Sequence, residues 1–241
     1  GKEGIWEIRQ AETKKKIAVV GAGPAGLQAA WILAKRGHQV TVYEKEETAG
    51  GQYRLACVPP MKQELARTIG TYLVFCQKYG VELCFGKKAD VTLLKNGNFD
   101  EIVLACGANP LIPPIDGIHG EQVCTANEIL EFQIMLKGQK VMVLGAGLVG
   151  AETAEVLSQY DNRVTLVDML DQIAPLAPAR PRENLLARLE HAGVTFLPGR
   201  KVKKILSDGV ICEYQKAEET LGGFDKIVAA FGSRPDNALY E

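Results

Sequence analysis

Two glycine-rich segments hold the residues best suited to binding a charged ligand. KIAVVGAGPAG runs from Lys16 to Gly26, and KVMVLGAGLVG runs from Lys140 to Gly150. A pyrophosphate needs backbone N–H groups that no bulky side chain obstructs. In a G-x-G-x-x-G pattern the first glycine permits a tight turn, the second lets the backbone approach the phosphates and the third allows close helix packing. The pattern predicts two dinucleotide-binding turns, with glycines at Gly21, Gly23, Gly26, Gly145, Gly147 and Gly150.

The two segments belong to an internal repeat with an offset of 124 residues. Eighteen residues after the last glycine of each segment, an acid ends a short apolar run: Glu44 follows VTVY and Asp168 follows VTLV. A carboxylate at this place can accept the ribose hydroxyls of an adenosine. EIVLACGANP at 101–110 and KIVAAFGSRP at 226–235 also match, at an offset of 125. One G-x-G-x-x-G is expected by chance about 0.2 times in such a chain, so two copies with equal acid spacing indicate a duplication.

The charge at Asp168 bears on the choice of nicotinamide cofactor. A carboxylate there repels a 2′-phosphate, and the next three residues, Met169, Leu170 and Asp171, supply no cation. We therefore expect NADH in preference to NADPH. Arg180 and Arg182 are the nearest basic residues downstream, and folding back toward Asp168 would weaken that preference.

Residues beside these anchors complete the candidate cofactor-binding set. The helices that begin after each glycine turn offer free N–H groups and the positive end of a helix dipole. Cys106 and Phe231 each lie between a small residue and a glycine, where they either pack beside a nucleotide or fill the core. No catalytic residue is assigned. The further candidates are Pro24, Ala25, Lys45, Ala105, Cys106, Gly107, Leu148, Val149, Ala230, Phe231 and Gly232.

Composition excludes several classes of protein. The chain has 241 residues, with 28 Lys and Arg against 29 Asp and Glu, and this balance argues against a nucleic-acid or membrane-surface binder. The uncharged run 17–34 is long enough for a membrane helix, but its glycines and Pro24 favour a strand, a turn and a buried helix. Six cysteines and three histidines show no ligand spacing, so we expect no metal and free thiols in a reducing cytoplasm.

The hydrophobic pattern predicts an α/β fold of two Rossmann-like lobes, with parallel sheets and small antiparallel β-meander insertions. In the first lobe we expect strand 16–20, helix 24–36, strand 40–43, a helix within 61–79 that packs through Leu65 and Ile69, and short strands near 81–84, 88–94 and 101–104 with a hairpin at Asn96-Gly97. In the second we expect strand 140–144, helix 148–160, strand 163–167, helix 182–192 and strands near 194–197, 201–206 and 209–215, with the last hairpin at 207–209.

These motifs, in this order, resemble the flavoproteins that carry two dinucleotide-binding domains, with FAD on the first lobe and NAD(P)H on the second. The resemblance covers the whole chain. Within that group, GGQYRLACVPPMKQEL from Gly50 to Leu65 is similar to a segment of 2,4-dienoyl-CoA reductases, 2-enoate reductases and trimethylamine dehydrogenase. The implied domains are a linker at 1–15, an FAD-binding lobe at 16–109, an NAD(H)-binding lobe at 110–229 and a return toward the FAD lobe at 230–241.

The resemblance also implies roles for single residues. Backbone amides at Gly51 and Gln52 would join the first glycine turn in holding the FAD pyrophosphate, and Ala89 would lie near the adenine. Arg54 is a candidate for the flavin side, although a surface ion pair is the more common role of such an arginine. Cys57 stands alone after the Gly-Gly turn, so the redox disulfide of glutathione-reductase-like enzymes is not expected.

In the proteins that this chain resembles, the region is the carboxyl-terminal half of a longer chain. Upstream lie a barrel with FMN and a 4Fe-4S cluster, which are implied here only for a parent protein. The family continues past the GSRPDN motif with a Gly-Asp segment that completes the first lobe, so the FAD lobe is expected to be incomplete.

Three functions remain open on this evidence. The first is an electron-input module in which NADH delivers a hydride to FAD, which passes electrons to the parent's iron–sulfur cluster and FMN. The second is a non-catalytic nucleotide-binding scaffold. The third is a free-standing FAD-dependent NADH reductase subunit, such as the electron-transfer subunit of glutamate synthase.

Overall fold

The chain forms two compact units in a computed structural model that describes residues 7–240. Unit 1 comprises residues 7–57, 61–108 and 235–240, and unit 2 comprises Val58–Pro60 and Asn109–Arg234. Residues 1–6 of the predicted linker and residue 241 of the predicted return segment lie outside the described residues.

Unit 1 is built on a parallel sheet of four strands: β1 (Lys16–Val20), β2 (Gln39–Tyr43), β3 (Glu82–Cys84) and β4 (Glu101–Leu104). Their order across the sheet is β3-β2-β1-β4. The strands β1 and β2 are rich in β-branched residues and almost wholly buried, as expected where both faces of a parallel sheet are covered. The helices are α1 (Pro24–Lys35), α2 (Gln52–Ala56), a 3₁₀ turn (Gln63–Ala66), α3 (Arg67–Lys78) and α4 (Val91–Asn96).

Unit 2 repeats this plan with one more strand in its parallel sheet. Those strands are β6 (Val123–Thr125), β7 (Lys140–Leu144), β8 (Arg163–Val167), β9 (Thr195–Leu197) and β13 (Lys226–Ala229), in the order β6-β13-β7-β8-β9. Its helices are α5 (Ala126–Leu130), α6 (Leu148–Ser158) and α7 (Ala179–His191). A separate antiparallel sheet contains β10 (Lys201–Ile205), β11 (Val210–Tyr214) and β12 (Ala217–Leu221), and two short strands, β5 (Ala108–Pro110) and β14 (Ser233–Pro235), pair with each other.

The central strand of unit 2 shows how the layers are held together. Successive side chains of a strand point to opposite faces. Val141 and Val143 therefore pack in the cluster formed with α6 and α7, whereas Met142 and Leu144 pack on the other face with Ile205 of the antiparallel sheet. All four side chains are fully buried. This central position explains why the segment carries apolar residues at every place and not at alternate places.

The predicted α/β class with parallel Rossmann-like sheets is confirmed, but the meander predicted for the first lobe is wrong. Residues 91–96, expected as part of a strand and hairpin, form α4, which Asp90 caps by accepting a hydrogen bond from the Leu93 N–H at 2.7 Å. Leu94 of this helix packs on Ala18 and Val20. A helix thus covers the face of unit 1 that the antiparallel sheet covers in unit 2.

Three smaller expectations are also corrected. Residues 207–209 turn the chain between the antiparallel strands β10 and β11 as predicted, but this hairpin is not the last one. A further hairpin at Gln215 and Lys216, both with positive φ, leads into β12. The helix predicted within 61–79 begins as a 3₁₀ turn, and Leu65 in that turn is 39% exposed instead of packed. The hydrophobic pattern did not predict six further elements, which are α2, β5, β6, α5, β12 and β14.

The uncharged run 17–34 forms β1, a glycine turn and most of α1, as the glycines and Pro24 indicated. Within residues 7–240, no helix has both the length and the apolar character needed to cross a bilayer.

Packing under the glycine turns gives a first prediction. A Cβ at Gly150 would lie 1.9 Å from the carbonyl oxygen of Gly145, which is rigid backbone. We expect Gly150→Ala to lower the free energy of unfolding by about 1–3 kcal/mol. Gly70 in α3 meets nothing within 4 Å, so Gly70→Ala should raise that free energy by about 0.5–1 kcal/mol. Urea unfolding of both variants measures the difference, and equal effects of the two substitutions would contradict it.

Candidate functional site

The first glycine turn connects β1 to α1 in a conformation that glycine alone fits. Gly21 has a φ of +103°, and a Cβ there would lie 2.3 Å from the Ala105 carbonyl oxygen. A Cβ at Gly26 would lie 1.9 Å from the Gly21 carbonyl oxygen. These two glycines are therefore required by the protein's own packing.

Gly23 differs from its two neighbours in the motif. Its backbone is extended, with φ −71° and ψ 178°, and a Cβ there would meet no atom within 4 Å. Gly23 is the N-cap of the 12-residue α1, and no side chain caps that helix. The open space and the uncapped helix end fit a bound phosphate, which would receive the N–H groups there.

The second glycine turn, between β7 and α6, has the same geometry. Gly145 has a φ of +104° and faces the Ala230 carbonyl oxygen, which a Cβ would approach to 2.4 Å. Gly147 is again an N-cap with no side-chain cap and with open space where a Cβ would lie. Leu148 and Val149, which begin α6, are exposed. Each unit thus contains a cradle that fits the pyrophosphate of a dinucleotide.

Both acids predicted from the repeat lie beside these turns. Glu44 is buried, and its two carboxylate oxygens accept hydrogen bonds from the N–H of Ala22 at 2.7 Å and of Glu46 at 3.0 Å. Asp168 accepts from Ala146 at 2.6 Å and from Leu170 at 2.8 Å. Each acid therefore fixes the residue between the first two glycines, a structural role that the spacing alone did not indicate. Each oxygen keeps a lone pair that a ribose hydroxyl can use.

A second backbone contact supports each turn from the other side. The N–H of Gly50 donates to the carbonyl of Ala22 at 2.9 Å, and the N–H of Ala174 donates to that of Ala146 at 2.7 Å. Ala174 has a φ of +45° and stands 124 residues after Gly50, so extending the repeat would have identified it. A Cβ at Gly51 would lie 3.6 Å from the Cα of Gly23, which places Gly51 and Gln52 at the first cradle.

The polar side chains near the first cradle have partners within unit 1. Gln52 donates from Nε2 to the carbonyl of Ala108, and Arg54 donates from Nη1 to Thr48 Oγ1 while its stem packs over Gly50. Lys45 is exposed, with its Nζ 3.9 Å from a carboxylate oxygen of Glu46. Pro24 and Ala25 begin α1 as expected.

The residues that follow β4 and β13 have two roles: some contact the glycine turn of their unit, and others pack in its core. The carbonyls of Ala105 and Ala230 face Gly21 and Gly145, as described above. Cys106 and Phe231, which follow them, are half-buried and pack against the core of their own units. Gly107 and Gly232 both have positive φ. Ala89 is 5% exposed and packs with Ala18 and Val20, so only its backbone remains for contact with an adenine.

The six cysteines, all in the described part of the chain, are free thiols. Cys57 is buried and donates from Sγ to the carbonyl of Tyr53 at 3.0 Å, and burial raises its pKa. Burial raises the pKa of Cys76, Cys124 and Cys212 to about 11. These thiols stay protonated near neutral pH. Among residues 7–240, no three His, Cys, Asp or Glu side chains are grouped so that they could hold a metal ion.

Comparisons with known proteins agree with the two-cradle geometry. Residues 15–241 match the model of the family described as pyridine nucleotide-disulphide oxidoreductase. The chain is 36% identical over 229 residues to the bilirubin reductase of Mediterraneibacter gnavus, covering 95% of this chain and 35% of that protein. It is also 36% identical over 239 residues to the NADH oxidase of Thermoanaerobacter brockii, covering 98% and 37%.

A solved structure shares the fold over the same extent. A complex of 2-naphthoyl-CoA reductase superposes with a TM-score of 0.91 at 29% identity, covering 98% of this chain and 36% of that one. The chain therefore spans about a third of the length of these proteins. FAD and NAD(P)H, expected from the sequence, are the cofactors that the matched family implies. With two such cradles and a family match over nearly its whole length, the chain belongs to the pyridine nucleotide-disulphide oxidoreductase family.

Proposed function

We propose that this chain is the electron-input module of a larger NADH:flavin oxidoreductase, with FAD held by unit 1 and NADH by unit 2. The observation that carries the proposal is the paired cradle: two open, uncapped helix ends, each beside an acid whose carboxylate is fixed by the glycine turn. Each cradle is complete for the adenosine diphosphate part of a cofactor.

The residues of unit 1 fit FAD. Main-chain N–H groups of Gly23, Ala25 and Gly26, with those of Gly51 and Gln52, would hold the pyrophosphate, and Glu44 would accept hydrogen bonds from the ribose hydroxyls. FAD, when bound, accepts a hydride from NADH and passes electrons on one at a time. The chain's own contribution is to bind and orient, since its thiols are protonated and no side chain is assigned to proton transfer.

The charges around Asp168 favour NADH over NADPH. Of the two arginines that could have folded back, Arg182 donates from Nε to the carbonyl of Ile173 at 2.7 Å and from Nη2 to Gln172 at 3.3 Å, and Arg180 is exposed. Met169 and Leu170 are exposed apolar residues beside the acid. A 2′-phosphate would therefore meet the Asp168 carboxylate with no compensating contact from these side chains.

The onward path of the electrons belongs to the proposed parent protein. The relatives named above are reductases and an oxidase about three times as long as this chain. We propose that a barrel with FMN and a 4Fe-4S cluster lies elsewhere in the parent chain and receives the electrons. A reducing cytoplasm, expected from the cysteines, is part of the same proposal.

A nucleotide-binding scaffold is the second candidate, and one feature of unit 1 favours it. The outer edge of β13 in unit 2 is covered by β6, but among residues 7–240 no strand pairs with the corresponding edge of β4. Ile102 and Leu104 on that strand are 45% and 39% exposed. An unfinished sheet next to the FAD cradle would weaken flavin binding in this chain. A free-standing reductase subunit is the third candidate, and no contact in either unit favours it over the module.

Flavin binding and NADH oxidation distinguish the module from the scaffold. The purified chain is titrated with FAD, and NADH oxidation is then followed with an artificial electron acceptor. The module predicts a bound flavin that NADH reduces. A chain that stays colourless after FAD addition and oxidises no NADH would contradict the module and support the scaffold.

The assignment of one cofactor to each unit predicts a reciprocal pair of effects. Gly23→Ala should weaken FAD binding about tenfold or more and leave NADH binding within twofold, because the added methyl group obstructs only the first cradle. Gly147→Ala should do the reverse. Both methyl groups enter open space, so the fold itself tolerates them. Calorimetric titration of each variant with each cofactor gives the four affinities, and equal losses of both cofactors in either variant would refute the assignment.

The role of Asp168 predicts a change in cofactor preference. Asp168→Asn removes the charge that repels a 2′-phosphate, so the ratio of NADH affinity to NADPH affinity should fall about tenfold, the effect of about 1.4 kcal/mol expected for one partly screened charge pair. The matched control is Glu44→Gln, which removes the equivalent charge from unit 1 and should leave the ratio unchanged. A ratio that moves equally in both variants, or in neither, would count against the role of Asp168.

A further inference from the structure

A residue with a cationic side chain is bonded through its backbone to each acid beside a glycine turn. The repeat at offset 124 did not predict these contacts. The N–H of Arg200 donates to the carbonyl of Asp168 at 2.8 Å. In unit 1 the N–H of Lys87 donates to the carbonyl of Glu44, also at 2.8 Å. The two acids are 124 residues apart but the two cations only 113, because the segments between acid and cation differ in length. Each acid is thus bonded through its backbone to a residue with a long cationic side chain.

The two cations are held very differently. Lys87 is exposed, and its Nζ lies 5.4 Å from the centre of the Tyr43 ring. Arg200 has a side chain only 13% exposed, and its guanidinium stacks 4.0 Å from the centre of the Tyr214 ring. A guanidinium suits a phosphate better than an ammonium does, because its planar fork matches two phosphate oxygens. Arg200 is therefore a cation well suited to a 2′-phosphate, with its backbone beside the acid that marks the ribose.

Each of the three guanidinium nitrogens of Arg200 already donates one hydrogen bond within unit 2. Its Nε donates to Glu219 Oε2 at 2.7 Å, its Nη2 to Glu219 Oε1 at 3.3 Å, and its Nη1 to the carbonyl of Pro198 at 2.9 Å. All three nitrogens have an acceptor, and Glu219 neutralises the charge. Glu219 belongs to β12, the strand that completes the antiparallel sheet, and its side chain is 35% exposed.

Two acidic residues besides Glu219 lie next to the segment that carries Arg200. Asp168 faces its own glycine turn, and a Cβ at Gly199 would lie 3.8 Å from Asp171 Oδ1. With Arg200 paired to Glu219, a 2′-phosphate placed near Asp168 would meet the charge of that carboxylate without a free guanidinium to offset it. An Arg200 freed from Glu219 would offer that phosphate a fork of donors.

We propose that Glu219 is a specificity-determining residue for the nicotinamide cofactor, because it withholds the Arg200 guanidinium from the 2′-phosphate of NADPH. The inference rests on the proposed binding of NADH by unit 2 and extends it. Selectivity would then come from two devices: the repulsion by Asp168, and the neutralisation of a nearby cation that could have offset it. The ligand class that Glu219 excludes is an adenosine 2′-phosphate.

The test compares two probes that differ only at the ribose, ADP and adenosine 2′-phosphate 5′-diphosphate, by calorimetric titration of the folded chain. In Glu219→Gln, and equally in Glu219→Ala, the affinity for the 2′-phosphorylated probe should rise about tenfold while the affinity for ADP stays within twofold. In Glu219→Gln combined with Arg200→Gln the gain should disappear. The matched control, Glu218→Gln on the same strand, should behave as the unchanged chain.

The outcomes separate this inference from the function on which it rests. No gain in either Glu219 variant would overturn the role of Glu219, as would a gain that persists without Arg200. Arg200→Gln alone should leave the ratio of the two affinities unchanged. A loss of affinity confined to the 2′-phosphorylated probe would show that Arg200 already contacts the phosphate, and this result would refute the proposal. Failure of the unchanged chain to bind ADP would overturn the proposed nucleotide sites of both units and, with them, the inference.

Discussion

The hydrogen bond from the glycine turn to the acid of the next strand is the contact on which both sites depend. Ala22 donates to Glu44 and Ala146 donates to Asp168, over 2.7 and 2.6 Å. The bond holds the carboxylate that is proposed to bind the ribose against the turn that is proposed to bind the pyrophosphate. The parallel register of β1 with β2, and of β7 with β8, sets where each acid lies relative to its glycine turn. A residue slip in either register would separate the two halves of the site.

The parts of the site that could be predicted from the sequence are the positions at which steric fit or charge allows only one type of residue. Gly21 and Gly26 are required by carbonyl oxygens of the protein, and Gly23 leaves the open space that suits the proposed phosphate, so the pattern is visible without a structure. The role of Ala174 was not predicted, because an alanine at positive φ cannot be recognised from its residue type. Its position 124 residues after Gly50 in the repeat is the signal that identifies it. The capping box formed by Thr125 and Glu128 is a sequence pattern that would have predicted the start of α5.

The fold was less predictable where the two units diverge. Residues 88–94 have β-branched and apolar residues that suit a strand, and Asn96-Gly97 resembles a hairpin turn. The capping of the Leu93 N–H by Asp90 and the packing of Leu94 on β1 favour a helix instead. In unit 2 the same face carries the antiparallel sheet, and the ion pair of Arg200 with Glu219 exists only because of it. A contact across β12 could not be predicted while that strand itself was missed.

The family is named after disulphide chemistry, yet the thiols of this chain are poorly suited to it. All six cysteines are free, and burial is the first cause of a raised pKa for each of them. Disulfide exchange needs a thiolate with an accessible sulfur. Cys57, the cysteine after the Gly-Gly turn, is instead buried and bonded to a carbonyl. The groups that the glycine turns offer to a ligand are backbone N–H groups and the carboxylates of Glu44 and Asp168, and none of these groups is a redox centre. The chain therefore belongs to the family without a thiol pair suited to disulfide exchange, and its glycine turns fit the proposed role of holding cofactors.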